Sequence, residues 1–218
     1  MNNIELKISQ AEQKYLSILS NYCLNIFSKK QIPSHNETHH YRVWQYCKEI
    51  IHTISSEYPI SQNLVESCLI AALFHDTGLS VNLNEKHGKE SRIICENFFN
   101  ENKEIVPNNF EQTLNAIELH DDKNYKNSQI LPNSVFSILC NADDLDAFGK
   151  IGVIRYTDIY LMRGINLNDL PKLVLKNLDM RFANFEKTYK QFDSLVAKHK
   201  KRFFITKKFF DDMILELN

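Results

Sequence analysis

Apolar residues recur at steps of three and four along almost the whole chain, and runs that alternate apolar with polar residues are hard to find. Only five glycines and five prolines interrupt the 218 residues, so the pattern predicts an all-α fold. Tyr15, Leu16, Leu19, Tyr22, Cys23, Ile26 and Phe27 predict a first helix from about Ile4 to Lys29, ended by Pro33 and Ser34. Val43, Tyr46, Cys47, Ile50 and Ile51 share one face of a helix beginning near Asn36, and His39 lies on that face. Val65, Leu69, Ala72 and Leu73 line a helix from about Gln62, with Gly78 as its C-terminal stop. Further stripes cover Lys86 to Asn100 and Asn109 to His120. Asn133 and Ser134 are cap candidates for a helix carrying Val135, Ile138, Leu139 and Ala142, and Gly149 and Gly152 break or bend the chain beyond it. Leu175, Leu178, Phe182, Phe185, Tyr189 and Phe192 predict one long helix, and the phenylalanines from Phe203 to Phe210 a shorter one packed back on the body as core.

Hydrophobic residues make up 43% and charged residues 24%, enough for a real core, and the length suits one domain spanning 1–218. Lys plus Arg (26) nearly cancel Asp plus Glu (27), so no global field draws the chain to long nucleic acid or an anionic membrane. The longest apolar stretch, Cys68 to Phe74, is too short to span a bilayer, and the N-terminus lacks a signal layout; a cytoplasmic protein is expected. Cys23, Cys47, Cys68, Cys95 and Cys140 form no Cys-x-x-Cys pair and read as small buried hydrophobes. The basic run Lys198 to Arg202 reads as a solvated helix end or turn.

The chemistry concentrates in His39, the doublet His75 and Asp76, and Asp143, each at or near the apolar face of a separate helix. Burying such groups together without partners costs several kcal/mol, roughly, whereas a divalent cation uses the imidazole lone pairs and neutralises the carboxylates. Mixed His/Asp ligation in a helical bundle suits Mn, Fe, Mg, Ni, Co or Zn. His87 and His120 also fall on core-facing stripes, where the alternatives are ligation and an ordinary structural role. His35, His40 and His52 read as surface or loop histidines, and Trp44 as core. Asp121, beside His120, reads as a loop carboxylate, and Arg42 as structural.

His39-His40-Tyr41-Arg42-Val43, Ala72-Leu73-Phe74-His75-Asp76-Thr77-Gly78 and Asn141-Ala142-Asp143-Asp144-Leu145-Asp146-Ala147-Phe148-Gly149 stand in the order of three known motifs. With the continuation to Arg155, they resemble the HD superfamily of metal-dependent phosphohydrolases, in particular a branch of small stand-alone bacterial members. The resemblance spans about Asn36 to Gly164 and implies an HD core near residues 30–165, with a C-terminal helical extension over about 166–218. It implies that His39, His75, Asp76 and Asp143 ligate one divalent cation. A second ion on His87 and His120 is implied by dinuclear relatives, which share the order His, His-Asp, His, His, Asp. Asn141 and Asp144 stand where the branch has Asp and Arg, and neither is a ligand position.

The resemblance implies hydrolysis of a phosphoester or phosphoanhydride, with a small nucleotide as the expected substrate and a metal-activated water as nucleophile. Asp76 would orient that water, Asp144 or Asp146 would carry a proton, and Arg155 would hold phosphate or pair with those acids. Two alternatives stand beside this reading: a di-iron oxygenase with the same ligand order, and a non-catalytic module that binds a nucleotide. The loops Leu79 to Glu85 and Asp121 to Leu131 would shape the pocket, and self-association into a homo-oligomer is left open.

Overall fold

In the computed structural model, residues 3–28, 32–83, 86–122 and 131–217 are described, and every regular element among them is helical. The chain divides into two compact units, Met1–Ala142 and Asp143–Asn218.

The first unit opens with α1 (Asn3–Ala11), a π-helical segment (Glu12–Leu16) and α2 (Ser17–Phe27), where the periodicity predicts one helix; Lys29 lies outside the described residues. The π segment turns Glu12 toward the next helix, where its Oε1 accepts from Trp44 Nε1 at 2.8 Å and from Lys48 Nζ at 2.9 Å. That helix is α3 (Glu37–Ile54), and the Asn36 side chain caps it by accepting from the backbone N–H groups of Thr38 and His39. Capping at Asn36 sets the phase of α3, so His39, Val43, Cys47 and Ile50 all face inward and are buried.

Next comes α4 (Gln62–Phe74), capped by Ser61, which accepts from Leu64 N–H. From Ser67 onward every residue of α4 is buried, the signature of a helix surrounded by others. It packs against α1, α2, α3, α5 (Gly88–Glu101) and α6 (Phe110–Leu119). Tyr22, Phe74, Phe98 and Phe99 form an aromatic cluster, with ring centroids 4.7 Å apart for Tyr22 and Phe98 and 5.6 Å for Phe74 and Phe98. α7 (Val135–Asp146) begins in this unit, with Ser134 Oγ accepting from Ser137 N–H as the caps predict.

Gly78 does not end a helix in a left-handed conformation; it sits in a 3₁₀ turn, Thr77–Ser80. Glycine is needed there because a Cβ would collide with the His87 carbonyl oxygen. Gly88 is required in the same way, against the Glu118 carbonyl oxygen of α6.

The second unit contains the end of α7, α8 (Gly149–Met162), α9 (Leu170–Tyr189) and α10 (Asp193–Leu217), with α10 packed on both α8 and α9. The last helix is the longer of the final two, 25 residues against 20, because Lys198 to Arg202 continue it as helix interior. Phe148, Phe182 and Phe203 form its aromatic centre. Phe203 and Phe210, seven residues apart, share the buried face. Phe204 and Phe209 are exposed, which corrects the expectation that all the terminal phenylalanines are core. Thr206 Oγ1 accepts from Gly149 N–H at 2.7 Å, and Arg202 donates to the Phe148 carbonyl at 2.8 Å, pinning the α8 start, where Gly149 has a φ of 82°.

All five cysteines are buried and none forms a disulfide. Among the described residues no helix is long and apolar enough to cross a membrane.

Candidate metal centre

His75 follows α4 with helical backbone angles, and Asp76 leaves the helical path at φ −103° and ψ 6°. That departure lets two consecutive residues face one point, which an uninterrupted helix forbids. Asp76 is 3% exposed and lies at the centre of four imidazoles. Its Oδ2 is 3.1 Å from His39 Nε2 and 3.3 Å from His75 Nε2. Its Oδ1 is 2.7 Å from His87 Nε2 and 3.1 Å from His120 Nε2. The ligand atoms of Asp76, His87 and His120 all lie within 4.8 Å of one another.

The tautomers are set by the groups that the other ring nitrogens meet. His75 Nδ1 is 2.9 Å from the Ala72 carbonyl oxygen and His120 Nδ1 is 2.6 Å from that of Ile117. A carbonyl only accepts, so both Nδ1 atoms carry the proton and both Nε2 atoms present lone pairs to the centre. Burial pushes the His75 pKa below its ordinary value, against the pull of Asp76, which keeps the ring neutral. For Asp76, burial alone would raise the pKa. The imidazoles of His75, His120 and His39 gathered round the carboxyl outweigh it and hold the carboxyl well below its usual range. His39 Nε2 and His75 Nε2 stand 3.2 Å apart, and His75 has no proton to place between them.

His87 is positioned from outside its own helix. Asp121, just past α6, accepts with Oδ2 from the backbone N–H of His87 at 2.6 Å and of Gly88 at 2.8 Å, capping α5 from a neighbouring element. The same α6 end carries His120, whose carbonyl oxygen is 3.8 Å from Cys140 Sγ on α7.

Asp143 follows Ala142 on α7 and begins the second unit. Within that unit, its Oδ1 is 3.6 Å from Arg155 Nη2 and its Oδ2 3.3 Å from Arg181 Nη1. Asp144 and Asp146, both fully buried, pair with Arg181 at 2.8 Å and Arg155 at 3.1 Å respectively. The phosphate-holding arginine and the two proton carriers expected from the sequence are thus partners of one another or of Arg181.

Two histidines depart from the surface reading. His40 is fully buried, with its Nδ1–H on the Leu73 carbonyl at 2.6 Å and its ring edge-on to Phe27, because α3 lies with this flank toward α4. His35 stands at the edge of the centre, Nε2 3.9 Å from Asp76 Oδ2, with Nδ1 2.7 Å from Ser34 Oγ. His52 does lie at the surface, beside Glu5 at 3.2 Å. Trp44 is core, and Arg42 donates to Thr38 one turn away. Of the two loops expected to shape a pocket, residues 84–85 and 123–130 lie outside the described residues. Arg181 escaped sequence reading, although it sits beside Leu178 and Phe182 on the apolar stripe of α9, where a half-buried arginine needs a carboxylate.

No curated protein and no solved structure matches the chain. A family sequence model, HD domain, matches residues 36–147, half of the chain and the whole run from His39 to Asp143. With the His-Asp doublet at its centre and the histidines around it in motif order, the chain belongs to the HD domain family.

Proposed function

We propose that the protein is a metal-dependent phosphohydrolase that cleaves a phosphoester or phosphoanhydride bond of a small phosphorylated molecule, with nucleotides the first class to try. The observation that carries the reading is the convergence of four imidazole Nε2 atoms on one buried, ionised carboxylate, with at least two of those nitrogens held as acceptors. His75 Nε2, held as an acceptor 3.2 Å from His39 Nε2 and 3.3 Å from Asp76 Oδ2, suits a cation. His39, His75 and Asp76 would hold it, with Asp143 supplying the fourth ligand, as the motif order implies. When bound, a divalent cation lowers the pKa of water and neutralises charge on the phosphoryl group.

The protein residues do the rest. Asp76, ionised at the centre of its histidines, would accept a hydrogen bond from the attacking water and fix its direction. The backbone carbonyls of Ala72 and Ile117 stop His75 and His120 from rotating.

Asp76 also favours a second ion. One carboxylate oxygen faces His39 and His75 while the other faces His87 and His120, and these last two with Asp76 would hold a second ion. This keeps the di-iron oxygenase as a second reading, and metal content decides between them. About two irons per chain with oxygen consumption would support the oxygenase. Release of phosphate from a nucleotide panel with manganese would support the hydrolase. In either case His75→Ala and Asp76→Ala are expected to lose metal and turnover while keeping a helical circular dichroism spectrum. Full phosphohydrolase activity in Asp76→Ala overturns the proposal.

A further inference from the structure

Asp143, Asp144 and Asp146 fall within four consecutive residues at the C-terminal end of α7, and all three are buried. Helix C-termini carry partial negative charge, so three carboxylates there are doubly disfavoured unless cations answer them. Two guanidiniums do so with a shared pattern. Arg155 of α8 spans Asp143 and Asp146, and Arg181 of α9 spans Asp143 and Asp144. Each arginine has its shorter contact on a fully buried acid, 3.1 Å and 2.8 Å, and its longer one on Asp143, 3.6 Å and 3.3 Å.

Arg181 is itself held in place. Its Nε donates to Asn177 Oδ1 at 2.8 Å, Asn177 Nδ2 donates to Tyr160 Oη at 3.3 Å, and the guanidinium lies 5.9 Å from the Tyr156 ring centroid. A long side chain fixed at both ends can orient what it touches, where a free one could only balance charge.

We propose that Arg181 is a positioning residue. Anchored on Asp144, it sets the direction of the Asp143 carboxylate and so the affinity of the centre for its cation. Asp144 and Asp146 then act as anchors for the two arginines. Arg181 reaches these acids from α9, which would give the C-terminal extension a part in the chemistry. This role for Arg181 rests on Asp143 being a ligand.

The decisive variant is the double substitution Asp144→Asn with Arg181→Met. It removes one charge of each sign and so preserves the local charge balance. Mn²⁺ affinity is measured by isothermal titration calorimetry, and the visible absorption of the Co²⁺-loaded protein reports ligand geometry. We expect affinity to fall about 10- to 100-fold, the cobalt spectrum to change, and kcat to recover in excess Mn²⁺ with KM unchanged. Arg181→Lys, which keeps the charge but not the planar fork, should fall on the same side. Wild-type affinity and spectrum in the folded double variant overturn the proposal, since Arg181 then only balances Asp144. A raised KM with unchanged metal affinity also overturns it, by making Arg181 a substrate contact. Asp143→Asn, run in parallel, separates the two levels: if it binds Mn²⁺ like the wild type, the ligand reading has failed, and if it loses Mn²⁺ while the double variant does not, only the positioning role has.

Discussion

Whether a histidine here is a ligand or a core residue depends on which nitrogen is satisfied from behind. His75 and His120 spend Nδ1 on a carbonyl three residues earlier, which turns Nε2 toward Asp76. His40 makes the same kind of bond, to Leu73, but its Nε2 meets no hydrogen-bond partner among the described residues. Burial, reinforced by repulsion from His75 and His39, holds its pKa well below 6.5. Below pH 6.5 the unfolded chain therefore takes up a proton that folded His40 refuses, and stability that is complete above that pH is lost as pH falls. The limit is about 1.4 kcal/mol per pH unit for each such group. His75 acts in the same direction, whereas the depressed Asp76 costs stability only below its ordinary 3.8. Thermal melts of chelator-treated protein should thus be flat above pH 7 and decline from about 6.5, and His40→Asn should shrink that decline. An unchanged slope would remove His40 from the account.

At the scale of elements, the centre depends on how closely α5 approaches its neighbours. Gly78 meets the start of α5, Gly88 meets the end of α6, and Asp121 caps α5 across the gap. His87 and His120 are brought together by backbone proximity that any β-carbon would prevent. Gly88→Ala should therefore destabilise the fold by about 1–3 kcal/mol, the usual cost of overpacking, and should weaken metal binding as His87 is displaced. Denaturant melts and calorimetric titration with Mn²⁺ would test both parts. In the sequence Gly78 reads as a helix stop, because a glycine after a helix has that common use; its actual reason lies in a partner further along the chain, at the His87 carbonyl.

For the whole molecule, the cation should contribute directly to stability, because the unfolded chain has no such constellation. Saturation to about 100 times the dissociation constant adds roughly 2.7 kcal/mol. Adding Mn²⁺ to the chelator-treated protein should raise Tm, and Asp76→Ala should abolish the rise; an equal rise in that variant would place the stabilising ion elsewhere. The all-helical class, most helix starts and the order of the candidate ligands were legible in the sequence alone. Periodicity, caps and motif spacing are local properties, and Asn36, Ser61 and Ser134 act through bonds to residues at most three positions away. Only the tertiary structure decided that His40 is buried, that His35 borders the centre, that Asp121 caps a helix not its own, and that Arg181 of α9 answers Asp144. These depend on contacts between residues far apart in the chain, and burial and ion pairing are set by what a side chain meets across such a gap.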